Sequence, residues 1–197
     1  MYLLSCNATA PDSLSPPEDK VRNPRLEKDM NKSLLVMSCA VLGLSTLMPT
    51  KAKAEDDSDK KFLATAAQSD QNEIALSQLA EQKATNPAVK AFAEKMVAEH
   101  TKMTNSMKPF AESWGLSAPT GPDEDHRQAL DKLNGLSGKD FDKEYISDMV
   151  NDHSKALTAF TTEAKDTKDV KFRAAVLKGK TAVAAHKNMA YDLKKKL

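Results

Sequence analysis

Cysteine is almost missing from this sequence. Cys6 and Cys39 are the two present, and both fall within the first 39 residues. Beyond them the chain has no thiol, so it has no disulfide framework and no thiolate chemistry. An oxidising compartment is compatible with that but not required by it. Aromatics make up only 5% of the chain, and runs of β-branched residues are missing too. Both shortages argue against a sheet and for an all-α protein. No excess of either charge exists, with 29 Lys+Arg against 28 Asp+Glu. Over residues 55–197 the balance is 22 against 23. Such neutrality excludes a nucleic-acid-binding surface of the usual basic kind. There is no Gly-rich phosphate loop, no nucleophile elbow and no His-Glu-x-x-His. No reaction can be assigned.

One long apolar run is present, Ser33 to Leu47, and it is too short to span a bilayer comfortably. It follows Met30-Asn31-Lys32 and precedes Ala52-Lys53-Ala54, a small-x-small cleavage pattern. Residues 30–54 therefore read as a signal peptide cleaved after Ala54. Residues 1–29, rich in proline and charge and without periodicity, read as an upstream extension outside the mature protein. Val36-Met37-Ser38-Cys39 is a loose lipobox, but the apolar stretch before it is too short for a signal core. Residues 55–197 are left as one domain, large enough for a real core and with no transmembrane segment. The expected location is the periplasm, or association with the outer membrane.

Within that domain a short pattern recurs. Met96-Val97-Ala98-Glu99-His100-Thr101-Lys102 returns 53 positions later as Met149-Val150-Asn151-Asp152-His153-Ser154-Lys155. Both copies lie mid-way along helical patterns, with the His on the apolar seam. Helix A is expected over 59–83, with Phe62, Ala66, Ser69, Glu73, Leu76 and Ala80 on one face. Asn86-Pro87 opens helix B as N-cap and first helical residue, and Gly115 ends it. Its seam runs Val89, Ala93, Met96, His100, Met103, Met107, Phe110 and Trp114. Residues 116–139, with three glycines and two prolines, form a connection carrying one short helix near 123–133. His126 falls there and is given no role. Helix C (139–165) carries Asp142, Ile146, Met149, His153, Ala156 and Phe160. Helix D (170–195) carries Phe172, Val176, Gly179, Val183, His186, Ala190 and Leu193. Two hairpins joined by a long connection give a four-helix bundle of ferritin-like topology, with a crossover between the second and third helices.

Each seam has a central polar member: Glu73, His100, His153 and His186. Helix rise puts Glu73 about 18 Å and His100 about 21 Å from the A–B turn, within one turn of each other. His153 lies about 21 Å from Thr167 and His186 about 28 Å, which places His186 in the next layer unless the C–D turn is asymmetric. Three imidazoles and a carboxylate in a bundle core suit one transition-metal ion, and the N/O set accepts copper, zinc, iron or manganese. Glu99 and Asp152, each beside a His, and Met96 and Met149, one turn before one, are the candidate surrounding residues. Inward-turned methionines would favour copper. A metal-free His–Glu network stands beside this reading. With it stands a non-catalytic envelope protein that has a protein partner or self-associates.

The sequence resembles the exported bacterial domain of unknown function 4142, a group described as ferritin-like and often labelled an outer-membrane protein. The resemblance rests on Phe62…Ala66-Ala67…Glu73, Ala84-x-Asn86-Pro87-x-Val89-Lys90, Phe92-Ala93-x-Lys95-Met96-Val97, His100-Thr101-Lys102, Phe141-Asp142-x-x-Tyr145, Met149-Val150-x-Asp152-His153 and His186. It covers roughly 59–193. It implies a four-helix fold in the bacterial envelope and brings no activity with it. Di-iron ferritin-like sites use Glu-x-x-His pairs. Here Val97, Val150 and Val183 stand three residues before the histidines, so a mononuclear site is expected rather than a dinuclear one. The Leu-Pro pair usual in the last helix of this family is replaced near Lys178-Gly179.

Overall fold

The computed structural model describes residues 57–197. The leader, its cleavage site, the upstream extension and the lipobox lie outside the described residues. The described chain is all-α. Its helices are α1 (Asp57–Lys83), α2 (Pro87–Ser113), α3 (Glu124–Asn134), α4 (Gly138–Asp166) and α5 (Val170–Lys194). No helix among the described residues is long and apolar enough to cross a membrane.

Local chemistry explains the boundaries. The Asn86 side chain accepts from the Ala88 N–H, and Pro87 follows as the first helical residue. Gly115 adopts φ +69°, a left-handed conformation that costs glycine little, and α2 ends there. Asp123 caps α3 through the His126 N–H, and Asp169 caps α5 through the Lys171 and Phe172 N–H groups. Asp142, expected only as a seam residue, reaches across to the α1–α2 turn. It accepts from the Thr85 N–H at 3.1 Å, the Thr85 hydroxyl at 2.8 Å and the Asn86 N–H at 2.9 Å.

The helices pack α1 on α2 and α4 on α5, with α1 also against α4 and α2 against α5. The short α3 lies against α1 and α4. The apolar interior is in two parts. One lies toward the α1–α2 turn and contains Leu76, Val89, Met96, Tyr145, Ile146 and Met149, with Leu133 of α3. The other lies toward the α4–α5 turn and contains Leu63, Met107, Phe160, Phe172, Val176 and Val183. Between them every long helix contributes a buried polar side chain.

The seams expected for α2, α4 and α5 are largely the buried ones. The first half of α1 is rotated by one position. Leu63 and Asp70 are buried, while Phe62 and Ser69 are only partly so. Asp59, Leu63, Ala66, Asp70, Glu73, Ser77 and Ala80 repeat with the same 4-3 spacing as the expected stripe. Four of its seven members are polar, which hides it in the sequence. Three of these four are hydrogen-bonded to another helix or turn. Asp59 accepts from the Thr167 hydroxyl at 2.7 Å, and Ser77 shares a 2.9 Å hydrogen bond with Tyr145.

Candidate metal centre

His100, His153 and His186 come together in the middle layer. All three are buried. One ring nitrogen from each lies within 4.8 Å of the others. Ring centroids are 5.1–5.4 Å apart. The expected displacement of His186 into the next layer is therefore corrected. The offset counted Thr167, Lys168 and Asp169 as helical rise, but they form the turn. From the true helix ends, His153 is about 20 Å and His186 about 24 Å along its axis, less than one turn apart.

The two nitrogens of each ring have different surroundings. His100 Nδ1 is 2.8 Å from Asp70 Oδ1, and the other Asp70 oxygen accepts from the Thr104 hydroxyl at 3.0 Å. His153 Nδ1 is 2.8 Å from the Met149 carbonyl oxygen. Each oxygen can only accept, so both rings carry their proton on Nδ1 and leave Nε2 bare. Those two Nε2 atoms face each other at 3.3 Å. Moving either proton to Nε2 would set a bare nitrogen against an oxygen at 2.8 Å. The geometry sets two lone pairs face to face, an arrangement that a metal ion between the rings can satisfy. In a tetrahedral site with bonds near 2.0–2.1 Å, neighbouring ligand nitrogens stand about 3.3 Å apart.

His186 completes the pattern. Its Nε2 lies 2.5 Å from Glu99 Oε2, and its Nδ1 is buried without a hydrogen-bond partner. An orphaned buried acceptor is uncommon and requires an explanation. Burial is the first cause holding the His153 pKa down to about 3, with the neighbouring His100 adding to it. The His186 pKa is lowered too, again by burial first, against the pull of Glu99. Neutral imidazoles with exposed lone pairs are what a metal requires.

The surrounding residues fall in unequal places. Glu73 is buried, but its Oε1 is 3.6 Å from His153 Nδ1, the nitrogen turned away from His100. It stands behind His153, not among the three facing nitrogens. Burial, with the charges of Asp152, Asp70 and Asp148, pushes its carboxyl well above the usual carboxylate range. Its Oε2 has no hydrogen-bond partner. Glu99 anchors His186 and also pairs with Lys95 at 2.5 Å. Asp152 turns the other way, toward His126 of α3 at 3.5 Å and Lys155 at 2.9 Å. Met96 and Met149 pack into the apolar interior, and Met149 serves the centre through its backbone carbonyl. Asp70 was missed by sequence reasoning. The signal was present as Asp70-x-x-Glu73, two carboxylates on successive turns of one face.

The sequence pattern of the family described as "Domain of unknown function (DUF4142)" matches residues 45–193. The chain belongs to that family. No curated protein matches it significantly. Several solved structures share its fold. A DUF305 fragment from Deinococcus radiodurans is 10% identical with a TM-score of 0.64, over 73% of this chain and 99% of that one. CopM in its Cu(II)-bound form is 20% identical with a TM-score of 0.60, over 70% of this chain and 96% of that one. A DUF305 protein from Streptomyces coelicolor, described as secreted, is 14% identical with a TM-score of 0.59, over 69% and 91%. CopM is also known in Cu(I)- and silver-bound forms. At these identities the likeness concerns the fold.

Proposed function

We propose that this member of the DUF4142 family is an exported protein that holds one transition-metal ion between His100, His153 and His186. The four long helices act as a ferritin-like bundle, with the α2–α4 connection as its crossover. The observation that carries the reading is the proton inventory. Each of the three rings has one nitrogen fixed by an acceptor, namely Asp70, the Met149 carbonyl or Glu99. The remaining lone pairs have no proton to share. Metal-bound histidines have this kind of outer support. In the bound state the ligands are His100 Nε2, His153 Nε2 and His186 Nδ1. Glu73, Glu99 and Asp70 then act from behind the ligands, and Asp152, Met96 and Met149 contribute no ligand atom.

Three imidazoles suit copper, zinc or iron better than manganese, which favours oxygen ligands. The copper- and silver-bound forms of CopM, on the same fold, support placing copper first. Export is supported by the apolar run and small-x-small pattern at 33–54 and by the secreted neighbour. No reaction is assigned to the centre. The alternative is a metal-free polar core in an envelope protein that serves as a scaffold. It is favoured by the buried His100–Asp70 hydrogen bond, which joins α1 to α2 without any metal.

The test is a titration of the chelator-treated protein with Cu, Zn, Fe and Mn. One equivalent should bind, and the melting temperature should rise, because a ligand of the native state stabilises it by mass action. Cu(II) electron paramagnetic resonance should show imidazole nitrogen couplings. His153→Ala should lower affinity at least a hundredfold, whereas Glu73→Gln should retain binding within about tenfold. Melting that is identical with and without each metal would leave the metal-free reading standing.

A further inference from the structure

A second site lies beside the histidine layer, in the half of the molecule toward the α4–α5 turn. An open cavity of about 800 Å³ is walled by α1, α2, α5, Phe160 of α4 and the loop after α2. Its volume is within the range of small-molecule sites. Small residues create it: Ala64, Ala66 and Ala67 on α1, and Ala182 on α5, leave space that larger side chains would fill. Buried Leu63, Met107 and Phe160 line it, so its inner surface is mainly apolar.

Its charged residues are not equivalent. Asp70 and Glu99 line the cavity, but both are engaged, with His100 and Thr104 in one case and with His186 and Lys95 in the other. Lys108 pairs with Glu112 at 3.7 Å. Lys102 of α2 and Lys178 of α5 are exposed, line the same cavity, and have no carboxylate partner among the described residues. Two cationic side chains without a carboxylate partner among the described residues therefore stand at this apolar space, Lys102 and Lys178. A lysine there also has a flexible stem that can follow a ligand's head group.

We propose that this cavity binds a single-chain amphiphile with an anionic head, an alkyl carboxylate in the simplest form. The chain lies against Leu63, Met103, Met107 and Phe160. The carboxylate meets Lys102 and Lys178. Bundle structures commonly place ligands between helices in this way. The inference goes beyond metal binding and does not depend on it, since none of these residues is among the three histidines.

The probe is dodecanoate below its micelle concentration, titrated calorimetrically into the folded protein. Dodecanol and dodecyltrimethylammonium are the neutral and cationic comparisons. One dodecanoate should bind per chain, at least tenfold more tightly than either comparison. Lys102→Glu/Lys178→Glu should reverse the order of the anionic and cationic probes. Ala182→Trp, which fills the space from a partly exposed position, should abolish binding of dodecanoate, as should Ala67→Trp in a separate variant. Circular dichroism should show native helix content in each variant used. Failure of dodecanoate to bind would overturn the proposal. So would equal affinity for all three heads, or binding untouched in both folded tryptophan variants. His153→Ala should bind dodecanoate as the wild type does, which keeps this result separate from that of the metal titration.

Discussion

The two apolar halves of the molecule are built from the same four helices, yet one is sealed and the other open. Toward the α1–α2 turn, eleven of the twelve core side chains have no measurable exposure, and the remaining one, Phe92, is 5% exposed. Leu133 of α3 closes that side. Asp142 ties the turn to α4, and Tyr145 places its hydroxyl against Ser77. Toward the α4–α5 turn the core is smaller and aromatic. Phe172 packs edge-on against Phe62, Phe110 and Trp114, three side chains that are only partly buried. Among the described residues no helix covers this half as α3 covers the other, and the cavity opens there. The comparison teaches where rigidity is placed. The histidine layer is held from one side by dense packing and faces looser packing on the other.

Truncation should reveal the difference most strongly. Tyr145→Ala removes a fully buried ring and leaves Ser77 without its partner, and should cost about 3–5 kcal/mol. Met107→Ala in the open half enlarges a space that already exists. It should cost near the bottom of the range for such changes, about 2 kcal/mol. Chemical denaturation of both variants checks the contrast. Equal losses would mean that the open half is as tightly packed as the sealed one.

The open half nevertheless has one tight contact. A Cβ on Gly179 would sit 2.4 Å from Phe160 Cε1. Gly179→Ala must push that ring aside, and should cost about 1–3 kcal/mol despite the helix propensity that alanine adds. Phe160→Leu in the same chain should recover part of the loss, because the two sites share one contact. If Gly179→Ala is neutral, the ring moves freely and the half is looser still. This close approach stands where the family's usual Leu-Pro pair was noted as replaced. The glycine's role is packing against α4.

The sequence displayed the helices well because burial in α2, α4 and α5 follows a 3-4 spacing of apolar residues. The histidines interrupt that spacing without breaking it, so their inward direction was legible. The true face of α1 was not. Its stripe contains Asp59, Asp70, Glu73 and Ser77, and a hydrophobic pattern cannot register a face made of partnered polar groups. Asp70 was lost with it. The level of His186 was misjudged because three turn residues were counted as helix. The α3 contacts were invisible for another reason. Asn72 to Asp123 at 2.8 Å and His126 to Asp152 at 3.5 Å join residues distant in the chain, and no periodicity encodes them.

Those α3 contacts give the smallest and most specific effect. His126 lies between Asp123 at 2.6 Å and Asp152 at 3.5 Å, while Lys155 also pairs with Asp152. The hydrogen bond to Asp152, followed by the bond and charge of Asp123, raises its pKa to about 9 against the opposing effect of burial. A histidine whose folded pKa lies above its unfolded value contributes stability that is complete below about pH 6.5. That contribution fades as pH rises toward 9 and is gone above it. Discounted for the exposure of Asp123, it should amount to about 1 kcal/mol. The difference in denaturation midpoint between wild type and His126→Gln should therefore be largest near pH 6 and close by about pH 9.5. Amide exchange should locate the loss. Protection around Leu133 of α3, and around Phe141 and Tyr145 of α4, should fall with rising pH relative to His126→Gln, while Phe172 and Val176 should show no such difference. A gap independent of pH would mean that His126 acts through packing alone. A loss shared equally by both halves would mean that α3 does not seal one of them.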